Sequence, residues 1–115
     1  MIVEERIYTL HHAQVQTYLG LYEAKGRAIQ LRILGCNVGY YSVDVGPQST
    51  VVHLWAYTDI AERERRRAAL AADAGWRAYL PSIQPLMLTQ ETRILKPAAF
   101  FADWVRQQLE VVHAV

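Results

Sequence analysis

The order in which the hydrophobic period changes along the chain limits its fold more than any other feature. From residue 2 to 10 side chains alternate, with Glu4, Arg6, Tyr8 and Leu10 on one side and Val3, Glu5, Ile7 and Thr9 on the other, which is a strand. Over residues 14–34, Val15, Leu19, Tyr22, Ile29 and Ile33 recur at helical spacing. One long helix is expected there, with Gly20 and Gly26 as weak or close-packing points and Gly35 with Asn37 as the stop signal. Two β-rich runs, 38–45 and 50–58, flank Gly46-Pro47-Gln48-Ser49 and read as a hairpin. Asp59, with Glu62 three residues on, opens a second helix running through residues 62–72, as an aspartate version of the capping box. A short helix carrying Trp76, Tyr79, Leu80 and Ile83 follows Gly75 and is punctuated by Pro81 and Pro85. Residues 86–95 are strand formers closed by Pro97. The tail places Phe101, Trp104, Val105, Leu109 and Val112 on one helical stripe that needs a cover.

The order β, α, β, β, α, β predicts an α+β fold, a ferredoxin-like βαββαβ protomer with an antiparallel four-stranded sheet and its helices on one face. The other face is then bare, and a second copy of the chain is the simplest cover. With 115 residues a single core is expected, and 52% hydrophobic with 20% charged residues places the chain among globular proteins. A formal charge of +1, without a basic block, argues against nucleic acid. No apolar run approaches a bilayer span and the first residues lack a signal pattern, so a soluble, unprocessed, cytoplasmic protein without a membrane partner is expected. The lone Cys36 fits a reducing compartment and excludes an internal disulfide or a multi-thiolate metal site. Arg outnumbers Lys ten to two, the composition of a GC-rich bacterium.

The run Val51-Val52-His53-Leu54-Trp55-Ala56-Tyr57, then Ala61-Glu62-Arg63-Glu64-Arg65-Arg66-Arg67, Trp76, Tyr79-Leu80 and Ile94-Leu95-Lys96-Pro97 resembles the NIPSNAP family, as do Glu4-x-Arg6-x-Tyr8 and Val45-Gly46-Pro47. The resemblance implies a domain over residues 1–101, followed by a helical tail over 102–115 that lies outside the family pattern. It also implies a ferredoxin-like protomer that pairs into a dimeric α/β barrel, with bacterial single-domain members. Relatives of that barrel include cofactor-independent monooxygenases, lactone isomerases and haem enzymes, so the fold selects no one chemistry. Glu5 departs from the family pattern, which has an apolar residue there.

Candidate site residues follow from strand parity. His53, Trp55 and Tyr57 share one face of a strand, and Arg6 and Tyr8 share one face of another. If these faces coincide, Arg6 orients an anion, His53 carries a proton, and Tyr8, Trp55 and Tyr57 hold an aromatic or enol-like substrate. The plainer reading is that the same side chains fill a sheet interface. Trp76 and Tyr79 cover the end of the sheet or form the pocket lip. Glu91 is expected across from Arg6, as an ion-pair partner or a base. The Arg65-Arg66-Arg67 run, interleaved with Glu62 and Glu64, reads as a solvated helix face, and His11-His12 as exposed. No metal and no cofactor are expected; haem would have only His53 as an axial ligand inside the fold. The functional expectation is a homodimer with a small-molecule pocket between sheet and helices, performing cofactor-independent proton transfer or oxygenation on an aromatic or lactone-like substrate. The alternative is a non-catalytic dimeric interaction module.

Overall fold

The computed structural model describes residues 1–113. Strand β1 (Ile2–Leu10) leads through helix α1 (Val15–Leu21) and a π-helical turn (Tyr22–Gly26) into α2 (Arg27–Leu34). Strands β2 (Cys36–Ser42) and β3 (Thr50–Tyr57) form the hairpin. Helices α3 (Ile60–Ala72) and α4 (Ala74–Ile83), a 3₁₀ turn (Gln84–Leu86), β4 (Met87–Leu95) and α5 (Ala102–His113) complete the chain. The sheet runs β2-β3-β1-β4 with every neighbouring pair antiparallel, the ferredoxin-like arrangement.

Local chemistry sets the boundaries. Asp59 caps α3 by accepting from the Glu62 N–H at 2.7 Å, and the Glu62 carboxylate accepts from Thr58 N–H at 2.9 Å, one residue further back than a standard capping box. Asp73 ends α3 and starts α4, accepting from the Trp76 N–H at 2.9 Å. The expected single helix over residues 14–34 is instead two α-segments joined by the π-turn. Gly26 ends that turn under the Tyr79 ring, where a Cβ would lie 2.7 Å from a ring carbon. Pro81, expected as punctuation, sits inside α4, and Pro85 starts the 3₁₀ turn. Asn37, expected as a stop signal, lies in β2, where its side-chain amide donates to the carbonyls of Gly39 and Leu54 and stitches an irregularity in the β2–β3 register.

The two sheet faces have different partners. Tyr8, Leu10 and Val51 pack with Tyr18, Tyr22, Tyr79 and Ile83 of the helical layer. Val3, Cys36 and Ala56, on the opposite face, pack with Val105 and Leu109 of α5. That face is therefore not bare, as the element order suggested: the tail covers one part of it, on its own chain. Within the tail stripe Val105 and Leu109 are buried, while Phe101 and Trp104 remain about half exposed, their rings 5.3 Å apart. Strand β4 forms an open edge and is exposed along nearly all its length.

Candidate functional site

The inner face of the sheet collects polar and aromatic side chains because β1 and β3 pair in a register that sets like parity side by side. Glu4 lies opposite Trp55, Arg6 opposite His53 and Tyr8 opposite Val51. His53 is fully buried; the Tyr40 ring stacks on it at 4.6 Å and the Tyr8 ring meets it edge-on at 4.8 Å. The Trp55 indole N–H donates to His53 Nδ1 at 2.7 Å. An indole can only donate, so His53 Nδ1 is an acceptor and the imidazole is the neutral tautomer protonated at Nε2. Burial, then the Arg6 and Arg67 cations, pushes its pKa down to about 3. His53 Nε2 is buried without a hydrogen-bond partner among the described residues. Burial raises Tyr18, Tyr22, Tyr40, Tyr57 and Tyr79 above the usual phenol range, so these hydroxyls stay protonated.

Above this floor lies a cavity of about 330 Å³ between β1, β4 and the helical layer. Arg6, Arg67, Tyr8, Tyr18, Gln30, Gln84 and Gln90 supply its polar wall; Leu70, Ala71, Trp76, Leu80, Ile83 and Met87 supply its apolar wall. No carboxylate is among its lining residues. Arg6 donates from Nε to the Tyr8 hydroxyl at 3.0 Å and reaches Thr92 Oγ1 at 3.2 Å and Glu4 Oε2 at 3.4 Å. Glu4 is fully buried and already engaged by Arg63, whose Nη2 and Nε donate to the same oxygen at 2.6 and 2.8 Å. Arg67 Nη1 is buried without any hydrogen-bond partner, and Arg67 makes no ion pair among the described residues. Burial, then repulsion from Arg6, holds Arg67 below the ordinary arginine pKa. Two guanidinium groups, Arg6 and Arg63, thus engage the buried Glu4 carboxylate, while Arg67 lines the cavity beside Arg6 with no ion pair of its own among the described residues.

The same arrangement of elements occurs in known proteins. The NIPSNAP family model matches residues 3–102. The chain belongs to the NIPSNAP family. A NIPSNAP family protein of unknown function from Agrobacterium tumefaciens is 40% identical, with a TM-score of 0.85 over 87% of this chain and 90% of that one. An uncharacterised NIPSNAP-like domain protein from Burkholderia xenovorans is 44% identical, with a TM-score of 0.85 over 86% of each chain. Protein NipSnap homolog 1 of Danio rerio is 37% identical over 60 residues, 52% of this chain and 22% of the fish protein. Protein NipSnap homolog 2 of Homo sapiens is 38% identical over 72 residues, 62% of this chain and 25% of the human one. This chain therefore matches between about an eighth and a quarter of the length of its curated relatives. An antibiotic biosynthesis monooxygenase, 14% identical with a TM-score of 0.59 over 85% of this chain and 99% of that one, shares the fold alone.

In this NIPSNAP domain Arg6 and Tyr8 line the cavity from β1, and Trp76, expected to cover the end of the sheet or form a pocket lip, lines it from α4. His53, Trp55 and Tyr57 lie on the same sheet face, fully buried and not among the lining residues, Tyr57 turning its hydroxyl to Glu4 at 3.5 Å. Tyr79 packs against Gly26 and Trp76 and is not among the lining residues either. The pairing of Glu91 with Arg6 is corrected: Thr92 stands opposite Arg6, whereas Glu91 stands opposite Ile7 on the far face and is exposed. Its strand neighbour Arg93 pairs instead with Glu5 at 2.6 Å, which gives the charged residue in β1 its partner. The arginine run is corrected too. Arg65 is exposed and Arg66 donates to the Ile33 carbonyl at 3.0 Å, but Arg67 turns inward. The missed residues are Arg67 and Glu4. The signal for the first is its phase, since Arg63, Arg67 and Leu70 stand at i, i+4 and i+7 on one face of α3.

Proposed function

We propose that this protein is a homodimer in which each protomer binds a small organic anion with an apolar or aromatic body, seated in the cavity between sheet and helices. The observation that carries the reading is that Arg6 and Arg67 both line the cavity in a wall without carboxylates, and that Arg67 makes no ion pair among the described residues. A partly buried cation without an ion-pair partner is disfavoured, and an anionic ligand supplies what the chain withholds. The volume corresponds to about eleven water molecules, so a ligand of about a dozen non-hydrogen atoms fits. Arg67 and Arg6 hold the charge, Tyr8 donates to it, and Trp76, Leu80 and Met87 cover the body. His53, neutral and held by Trp55, supports the Tyr8 ring and so acts through it as a positioning residue.

The dimer rests on a different feature. Tyr41, Leu54, Leu95, Phe101 and Trp104 line an apolar groove of about 380 Å³ on the far face of the sheet, at the open β4 edge where Leu95 is exposed. Contiguous apolar surface of this kind marks an interface, and a second copy presents the matching patch by symmetry. No helix among the described residues is long and apolar enough to cross a membrane. A cytoplasmic setting belongs to the same reading, supported by the single free Cys36.

Crystals soaked with 4-bromobenzoate test the pocket directly. Anomalous bromine signal is expected among Trp76, Leu80 and Met87 with the carboxylate at Arg67; bromine bound only elsewhere contradicts the assignment. Light scattering is expected to give twice the chain mass at micromolar concentration, and a folded monomer there overturns the dimer.

A further inference from the structure

We infer that the cavity takes weakly acidic phenols and enols as their conjugate bases, with the O–H proton released to solvent when they bind. The inference rests on the anion-binding reading above and deepens it by naming the substrate class. Its ground is that the polar wall offers donors converging on the space and no free proton acceptor of adequate basicity. Arg67 lines the space and makes no ion pair among the described residues, so its guanidinium is free to donate to a ligand. Arg6 Nε–H donates into the Tyr8 hydroxyl oxygen, leaving the Tyr8 O–H to donate onward. Gln30 Oε1 accepts from the Tyr22 hydroxyl at 2.6 Å, so its amide N–H groups are the part left for the cavity.

The candidate bases are all committed. Glu4 holds Arg63 at 2.6 Å and Arg6 at 3.4 Å, Glu91 lies on the far side of the sheet, and the His53 lone pair accepts from Trp55. A neutral phenol finds only the weakly basic amide oxygens of Gln84 and Gln90 to accept its O–H, against the guanidinium donors of Arg6 and Arg67. The phenolate presents three lone pairs to it and a negative charge to two guanidinium groups. A carboxylate is already ionised at neutral pH, so the array only tightens its binding. For a phenol or enol the same array changes the protonation state: the O–H bond breaks heterolytically, the electron pair stays on oxygen, and buffer takes the proton. The bound species is then electron-rich at oxygen and at the conjugated carbons, held with its body against Trp76 and Met87.

The test uses 4-nitrophenol, which is yellow only when ionised, titrated with pH in the presence of excess protein. The bound titration midpoint is expected at least one pH unit below that of the free phenol, equivalent to phenolate binding about tenfold more tightly than phenol. Its methyl ether, 4-nitroanisole, cannot ionise and is expected to bind at least about tenfold more weakly than the phenolate. Arg67→Met is expected to remove the shift and Arg67→Lys to keep part of it, with circular dichroism confirming that both fold; a full shift in a folded Arg67→Met protein overturns the assignment. Benzoate separates the two readings. Benzoate binding with an unshifted 4-nitrophenol midpoint overturns this inference and leaves the anion pocket standing; binding of neither probe overturns both.

Discussion

Arg67 Nη1 and His53 Nε2 are buried without the polar partner that water would supply, and each shows how one residue serves the site at a cost to the fold. Replacing Arg67 by Met keeps the aliphatic stem of the side chain and removes a partly buried cation that makes no ion pair among the described residues, so the free protein is expected to gain about 1 kcal/mol in urea unfolding. A loss of stability would mean that the guanidinium has a partner in solution. His53 gives a pH signature whose sign is fixed. The folded state holds it neutral with a pKa of about 3, whereas the unfolded chain protonates it near 6.5. Between those values the unfolded state binds the extra proton, so stability is full above about pH 6.5 and falls toward pH 3 with a slope approaching 1.4 kcal/mol per pH unit. Comparing urea midpoints at pH 7 and pH 5 for the wild type and His53→Phe checks it: the substitution is expected to flatten the dependence, and an equally steep fall places its origin elsewhere. Strand parity alone grouped Arg6, Tyr8, His53 and Trp55, since alternation depends only on position. Glu91 escaped parity because the register of β4 against β1 is set by long-range pairing that alternation within one strand does not show, and a one-residue slip moves a side chain to the other face. Arg67 escaped because a run of like charges was read for its composition and not for its phase.

At the scale of elements, the strands, the hairpin and the Asp59 cap were legible because each rests on local chemistry. The π-turn was not, because nothing local demands it: its reason lies in the Tyr79 ring, more than fifty residues away in sequence, packing onto Gly26. The two glycines of the first helical segment should therefore respond oppositely to alanine. Gly20 has open space around its Cβ position, and Gly20→Ala is expected to stabilise by up to about 1 kcal/mol through helix propensity. Gly26→Ala drives a methyl into the Tyr79 ring and is expected to destabilise by about 1–2 kcal/mol, the overpacking outweighing the propensity gain. Urea unfolding of the pair decides this, and equal effects would remove the packing explanation. The docking of α5 belongs at this scale as well. Its stripe was visible from periodicity, but the face it covers was not, because a tail can cover its own sheet or a neighbour's with the same pattern. Truncation after Pro97 exposes Val3, Cys36 and Ala56 and is expected to cost roughly 3 kcal/mol, the burial of two aliphatic side chains, read as a lower melting temperature. Unchanged stability would show that α5 does not dock.

For the whole molecule, the sheet separates two surfaces with separate tasks. The inner face joins the helical layer around a charged cavity, and the outer face carries α5 and the apolar groove proposed for the second copy. A double substitution on the groove, Leu95→Glu with Trp104→Glu, is expected to give monomers by light scattering while leaving the ligand cavity intact. The central claim is that Arg67 is left unpaired for a ligand, and calorimetric titration of benzoate into the wild type and Arg67→Met tests it most directly. The account predicts saturable binding to the wild type and at least tenfold weaker binding to the substituted protein, which unfolds at the same or higher urea concentration. Equal affinity in the two proteins, or no binding to the wild type, would contradict it.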